Sequence, residues 1–436
     1  MRVLVVGGGG REHALCWALH ADDPSTTLFA APGNPGTAEA GLATNLAVAA
    51  TDLDGLVAAA RDHRIDLVVV GPEAPLAAGL VDRLRATGRP AFGPTAAAAR
   101  IESSKAFAKD VMASAGVPTA ASRVFTNLGP ALAYIERHAE PLVVKASGLA
   151  AGKGAVVCAS RGEAAAVARS MLEDMSLGDA GREIVVETFL EGEELSVLAL
   201  TDGQQVLLLP GAQDHKRLGE GDTGPNTGGM GAYCPVSVAT PALLERVRRE
   251  VLGPTLAELA RRGCRYSGVL YAGLMIGADG TPWVLEFNCR FGDPETQVLL
   301  PVLPRGSTAH LAAIAADSWR PQSVVLAAGR AAVTTVLAAR GYPDRPEKGA
   351  AIDLPATLPP DVLLFHAGTT RDAAGALRVA GGRVLNVTAL APTVAAAAAA
   401  SRAACERIAF AGKTWRRDIA RREIERHSGA GRAGAA

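Results

Sequence analysis

The chain has 436 residues, 44 Lys plus Arg against 44 Asp plus Glu, and a formal net charge of zero. That balance argues against a general nucleic-acid or polybasic membrane binder, and the length suggests about three domains, each large enough for its own core. Cys16, Cys158, Cys234, Cys264, Cys289 and Cys405 form no CxxC pair, so disulfide frameworks and zinc sites are not expected. Apolar runs such as Leu67–Val70 are too short to cross a bilayer, and the opening MRVLVVGGGG reads as a first strand rather than a signal peptide. A cytoplasmic protein that binds neither nucleic acid nor membrane is expected.

The first hundred residues alternate strand and helix signals. Strands are expected at Val3–Val6, Thr27–Ala31 and Ile65–Val70, with helices at Glu12–His20, Leu53–His63 (capped by Thr51 or Asp52) and Ala74–Thr87. The pattern predicts a doubly wound α/β domain. A capped helix follows at Ser103–Ala115, then strands at Leu142–Lys145, Ala155–Cys158, Ile184–Glu187 and Leu195–Thr201. TDG and ADG turns predict hairpins pairing Leu195–Leu200 with Gln205–Leu209 and Gly268–Ile276 with Pro282–Phe287. From about Ala327 a third unit begins, with strands at Ala332–Ala338, Val362–His366 and Val384–Leu390 and an Ala-rich helix at Pro392–Ile408.

The glycine run GGGGREH could bring a helix N-terminus close to an anion. It fails the dinucleotide fingerprint, because the third glycine position falls on Glu12 and no acidic residue ends the second strand. A phosphate-bearing substrate at Gly9 and Gly10 is therefore preferred to a nicotinamide cofactor; a tight turn without ligand is the plain alternative. Lys145 ends an apolar strand directly before SGLAAGKG, which lacks P-loop spacing but could form a mobile flap over phosphates, with Gly152 and Lys153 in it. Lys105 near a helix start is a second phosphate candidate. In VLEFNCRFGDPE, strand alternation puts Glu286 and Asn288 on one face, a pair of hard oxygen ligands suited to magnesium. Arg290 would share that face and could hold a carboxylate or phosphoryl oxygen. The stretches Asp214–Arg217 and Gly224–Ala232 read as a long polar binding loop.

GGGGREHAL, APGNPG, GPEAPLAAGL, VKASGLAAGKG, QDHKR, NTGGMGAY and LEFNCRFGDPETQ stand in this order, followed by VLAARGYP, FHAGT and GGRVLNVTAL. Together, from residue 1 to about 420, they resemble the phosphoribosylamine–glycine ligase (glycinamide ribonucleotide synthetase) family of ATP-grasp enzymes. The resemblance implies an α/β and α+β multidomain protein. Its expected parts are an N-terminal doubly wound substrate-binding domain (1–102), a two-subdomain ATP-grasp core (103–326), a small C-terminal α/β domain (327–421) and a flexible tail (422–436). It implies ATP as co-substrate, with Lys105 and Lys145 on phosphates, Glu187 and Leu190 at the adenine hinge and Glu194 on the ribose. Glu286 and Asn288 would bind Mg2+ or Mn2+. Asp214, Lys216, Arg290 and Asp293 would face the substrates, and Lys145, Asp214 and Arg290 would act in catalysis. Many ATP-grasp enzymes carry another metal-binding carboxylate on the preceding strand, whereas Tyr271–Ile276 has none. The implied reaction joins glycine to 5-phosphoribosylamine through glycyl phosphate, in a monomer or weak dimer. An ATP-grasp transformylase or carboxylase, a nicotinamide oxidoreductase and a silent nucleotide-binding module are the rivals.

Overall fold

A computed structural model describes residues 1–150, 152–321, 323 and 329–433. The first sheet is parallel, in the order Thr44–Asn45, Thr27–Pro32, Arg2–Gly7, Leu67–Val70, Ala91–Phe92. Val3, Leu4, Val5 and Val6 are fully buried because helices or other units cover both faces. The strand order reverses beside Arg2–Gly7, which opens a crevice at the carboxyl ends of Arg2–Gly7 and Leu67–Val70. Arg11, Pro72 and Glu73 stand there and reach the central cavity.

Two helices differ from expectation. The one expected over Ala74–Thr87 is split into Glu73–Ala77 and Leu80–Ala86, because Gly79 takes φ 86°. The one expected from Ser103 begins at Lys105, after a separate helix Ala96–Ser103. Ser104 is extended, and its hydroxyl caps the second helix by accepting from the Phe107 amide at 3.2 Å.

Two antiparallel sheets follow. One runs Ser122–Phe125, Ile184–Thr188, Leu142–Ala146, Ala155–Cys158, and helices Leu128–Ile135 and Arg161–Leu172 close its core. The other runs Val206–Leu208, Glu193–Thr201, Gly268–Ile276, Pro282–Asn288, and contains both expected hairpins. A bridge between Thr119 and Val284, with the Thr119 hydroxyl donating to the Val284 carbonyl at 2.7 Å, links the helix-bearing half to the second sheet.

The last large sheet has the order Gln213–Asp214, Gly231–Cys234, Ala331–Ala338, Arg383–Ala391, Val362–His366. Its first two strands come from before residue 327, so hydrogen bonding runs straight across that position. The stretch 224–232 is not a continuous loop: it carries most of Thr223–Asn226 and the first half of Gly231–Cys234, because its glycines allow close strand approach. At Gly231 an added Cβ would meet the Thr334 carbonyl at 2.6 Å. Residues after 421, expected as a loose tail, begin the helix Arg421–Ala433. Glu423 anchors it, buried and accepting from the Ser237 amide at 3.1 Å.

Arg416 pins this corner. Its side chain is 1 % exposed and donates to Asp418 at 2.8 and 2.7 Å, Asp222 at 2.9 Å and the Arg217 carbonyl at 3.0 Å. Arg416→Met takes the buried cation from both acids and is expected to cost about 3 kcal/mol, at the low end because Asp222 is part-exposed and keeps Arg422 at 2.9 Å. Exposed Arg402→Ala should change stability by less than about 0.5 kcal/mol. Urea denaturation of both variants measures this; equal midpoints would remove the structural role assigned to Arg416.

Candidate active site

The two antiparallel sheets face each other across a cavity of about 540 Å³, which the N-terminal and C-terminal parts also line. Its apolar walls include Val143, Val157, Val185, Leu190 and Met275. Lys145 lies at the end of a fully buried strand and its ammonium donates to the Leu285 carbonyl at 3.0 Å. The Glu187 carboxylate pairs with Lys145 on one oxygen and with Lys109 at 2.6 Å on the other. Lys109 also donates to the Thr119 hydroxyl at 2.8 Å. Glu187 is 2 % exposed, so its side chain serves as a connector between lysines, while Leu190 lines the apolar wall. Lys105 reaches the same cavity from the start of its helix, whose first amide donates to the Ser147 carbonyl at 2.8 Å. Burial lowers the Lys105 pKa, with Glu286 opposing, which favours a site that gains from arriving negative charge.

The glycine loop contributes Gly152, at φ 81°, to the cavity wall. Lys153 points elsewhere: it is 48 % exposed and stands 3.8 Å from Asp344. Gly9 and Gly10 also lie outside the lining. The Gly9 amide is already taken by Glu12 Oε2 at 2.7 Å, and Gly10 is pressed beneath two amide side chains, where a Cβ would meet Asn386 Nδ2 at 2.2 Å and Gln297 Nε2 at 2.8 Å. The glycine run therefore packs the N-terminal helix against its neighbours and delivers Arg11, the next residue, to the cavity.

On the strand Pro282–Asn288, a bulge leaves Leu285 unpaired between Val284 and Glu286. Glu286 and Asn288 both line the cavity. Burial pushes the Glu286 pKa up, but Lys216, Lys105, Lys145 and Arg290 outweigh it and hold the carboxylate ionised. No hydrogen-bond donor among the described residues occupies it. The residue paired with Glu286 on the neighbouring strand is Gly273, which supplies space and no further ligand. Among the described residues no group of three or more His, Cys, Asp or Glu forms a closed metal cage. A carboxylate and an amide oxygen beside a phosphate-sized space fit a hard ion that keeps water and substrate oxygens in its shell.

Arg290 is tied to the protein, donating to Glu102 at 2.8 Å and to Asn288 Oδ1 at 3.0 Å, with Glu73 at 3.5 Å. Asp293 accepts from Gln297 at 2.7 Å and pairs with Arg383 at 3.3 Å. Burial raises the Asp293 pKa, but Arg383 and Arg11 outweigh it and keep it low. Arg383 also donates to the Asp293 carbonyl at 2.8 Å and to the Gly228 carbonyl, while Tyr342 accepts from the Gly228 amide at 2.9 Å. Lys216 and Asp214 stand at the cavity's far wall, with Glu194 bonded to Lys216 at 2.6 Å. The sequence reading missed Lys109, Arg11, Glu73, Glu102 and Arg383. Lys109 had a local signal, since it lies four residues after Lys105 on one helix face; the other four come from distant segments.

A nucleotide-sized cavity between two antiparallel sheets, with strand-end lysines, a glycine flap and a carboxylate strand, defines an ATP-grasp enzyme. The biotin carboxylase domain of Hydrogenobacter thermophilus 2-oxoglutarate carboxylase shares the fold, with a TM-score of 0.72 at 17% identity, over 95% of this chain and 91% of that one. Family models narrow the class: the phosphoribosylglycinamide synthetase N domain matches residues 1–102, its ATP-grasp (A) domain 103–296 and its C domain 332–422. The chain is 49% identical to phosphoribosylamine–glycine ligase of Allochromatium vinosum, over 98% of this chain and 99% of that protein. It is 48% identical to that of Ralstonia nicotianae, over 98% and 100%. The crystal structure of the Thermotoga maritima phosphoribosylamine–glycine ligase superimposes with a TM-score of 0.85 at 34% identity, over 96% of this chain and 100% of that one. The chain belongs to the phosphoribosylglycinamide synthetase family.

Lys109→Met is expected to weaken binding of a non-hydrolysable ATP analogue about tenfold or more, because Glu187 then pulls on Lys145 alone. Calorimetric titration reads the change. An unaltered affinity, with the variant folded, would show that Lys109 does not position Lys145.

Proposed function

We propose that the central cavity performs the family's reaction with the residues described above. ATP, glycine and 5-phosphoribosylamine give glycinamide ribonucleotide, ADP and phosphate, a step of purine synthesis. The observation that carries the residue assignment is the convergence of Lys105, Lys145, Glu286 and Asn288 with Asp214, Lys216 and Arg290 on one cavity.

A carboxylate is a poor electrophile and must be activated. An oxygen of the glycine carboxylate attacks the γ-phosphorus of ATP, the bond to ADP breaks, and glycyl phosphate forms. The neutral amine of phosphoribosylamine then attacks the acyl carbon, phosphate leaves, and the new amide nitrogen loses a proton. Lys105 and Lys145 hold the phosphate charge, and the Gly148–Gly154 segment covers it and limits access of water to the acyl phosphate. Glu286 and Asn288 would hold magnesium or manganese, which neutralises phosphate oxygens when bound. Lys216 stands where the glycine carboxylate meets the γ-phosphate. Arg290 positions Asn288 through their hydrogen bond, and Asp293 with Arg383 borders the phosphoribosyl side. Glu194 serves the ribose of ATP. Catalysis is then mainly orientation and preorganised charge, without a protein nucleophile. No helix among the described residues is long and apolar enough to cross a membrane. The reading is completed by a cytoplasmic enzyme acting as a monomer or weak dimer.

Glu286→Ala should lower turnover by about 100-fold or more while the chain stays folded, since the change removes a buried charge with no protein partner. Near-normal turnover would move the metal site elsewhere. ADP release should need glycine and phosphoribosylamine together. Steady release with formate or bicarbonate in place of glycine would instead assign a related ATP-grasp transformylase or carboxylase.

A further inference from the structure

One tyrosine that stands outside the cavity supports its wall from behind. Tyr342 follows the strand Ala331–Ala338, in a turn made tight by Gly341 at φ 82°, where the Arg345 amide donates to the Gly341 carbonyl at 2.8 Å. The Tyr342 amide donates to the Ala339 carbonyl at 3.2 Å, and the Ala339 amide to the Gly382 carbonyl at 2.8 Å. The tyrosine ring lies against Gly382, where an added Cβ would meet its Cδ2 at 2.3 Å, so no larger residue leaves room for it. Its hydroxyl accepts from the Gly228 amide at 2.9 Å. The Gly228 carbonyl in turn accepts from the Arg383 guanidinium, which also donates to the Asp293 carbonyl at 2.8 Å and stands 3.3 Å from the Asp293 carboxylate. Arg383 is the residue after Gly382, so the contacts close a circuit from Tyr342 through Gly228 and Arg383 back to the tyrosine ring. Gly228, Asp293 and Arg383 line the cavity, and Tyr342 does not.

We propose that Tyr342 is a positioning residue for Arg383 on the phosphoribosylamine side of the cavity. The inference rests on the ligase reading above. An arginine side chain is long, and holding it in one direction costs rotamer freedom. The Gly228 carbonyl is one of the acceptors that give Arg383 its direction, and it belongs to a glycine pair, Gly228 and Gly229, whose backbone turns easily. The Tyr342 hydroxyl anchors Gly228 by its amide, so the carbonyl is in place before substrate arrives. The guanidinium fork is then ordered by the protein and not by the ligand. Without the hydroxyl, Gly228 can turn its carbonyl away, and Arg383 keeps Asp293 alone. Part of the binding energy of phosphoribosylamine then goes into reordering the arginine. On the phosphate side, Lys145 is held by Leu285 and Glu187 instead, which confines the effect to the amine substrate.

The test is steady-state ADP release by the full chain. Tyr342→Phe keeps the ring on Gly382 and removes only the hydroxyl. It should raise KM for phosphoribosylamine by about 3- to 10-fold, the worth of one neutral hydrogen bond. KM for ATP and for glycine should stay within about twofold. A double-mutant cycle separates positioning from general support of the fold. In an Arg383→Lys background, which lacks the fork, Tyr342→Phe should lower kcat/KM for phosphoribosylamine by less than about twofold. Glu347→Ala, an exposed change shortly after the same turn, should leave all three KM values unaltered. Unchanged affinity for a non-hydrolysable ATP analogue shows that the variant is folded; if Tyr342→Phe fails there, Gly382→Ala, which displaces the ring from its other side, should raise the phosphoribosylamine KM in its place. An unchanged phosphoribosylamine KM overturns the proposal. So does a uniform rise in all three KM values, or an effect of Tyr342→Phe that survives in full beside Arg383→Lys. Failure of the ligase reading looks different, as wild-type ADP release that ignores phosphoribosylamine.

Discussion

Lys145, Glu187 and Lys109 meet where water hardly reaches, and the rest of the nucleotide wall is arranged around that contact. A triphosphate needs cations at fixed positions, but buried ammonium groups repel one another and lose solvation. A carboxylate between two of them removes both problems. It also fixes where Lys145 can reach, because the Leu285 carbonyl holds the same ammonium from the opposite sheet. The bulge at Leu285 is what turns that carbonyl aside from the ladder, while Glu286 and Asn288 still line the cavity.

The charged wall follows the same logic with guanidinium groups. Arg290 connects Glu73 of the first domain, Glu102 of the helix Ala96–Ser103 and Asn288 of the strand Pro282–Asn288. Arg383 connects the last sheet to Gly228 and Asp293. A planar fork of donors suits this better than a lysine would, since each arginine satisfies several acceptors in set directions. The site is therefore a junction at which every part of the chain contributes a constraint.

Much of this was legible in the sequence for physical reasons that can be named. Buried strands such as Leu67–Val70 announce themselves as continuous β-branched runs, and the hairpins around Thr201–Gly203 and Ala278–Gly280 carry turn residues. Short strands such as Thr44–Asn45 and Ala91–Phe92 have no such period and exist because a neighbour pairs with them. The strand at Gly231–Cys234 was hidden by its glycines, which look like loop residues until a facing backbone requires them. The placing of Glu286 and Asn288 on one face of Pro282–Asn288 could be read from alternation alone. Gly9 and Gly10 could not be placed, because a glycine needed for close packing and one needed for a ligand look identical in sequence. Lys153 sits within the same glycine segment as Gly152, yet only the structure separates the residue that faces the cavity from the one that faces solvent.

The sheet that continues past residue 327 bears on how the chain is made. The parallel sheet needs only the first hundred or so residues and can close while synthesis proceeds. The strand that carries Asp214 cannot be completed in the same way. Its neighbour Gly231–Cys234 pairs next with Ala331–Ala338, so that edge stays open until the C-terminal segment leaves the ribosome. A nascent chain can thus bring Lys105 and Lys145 together well before the sheet edge that carries Asp214 is closed, so one wall of the central cavity is finished long before the other.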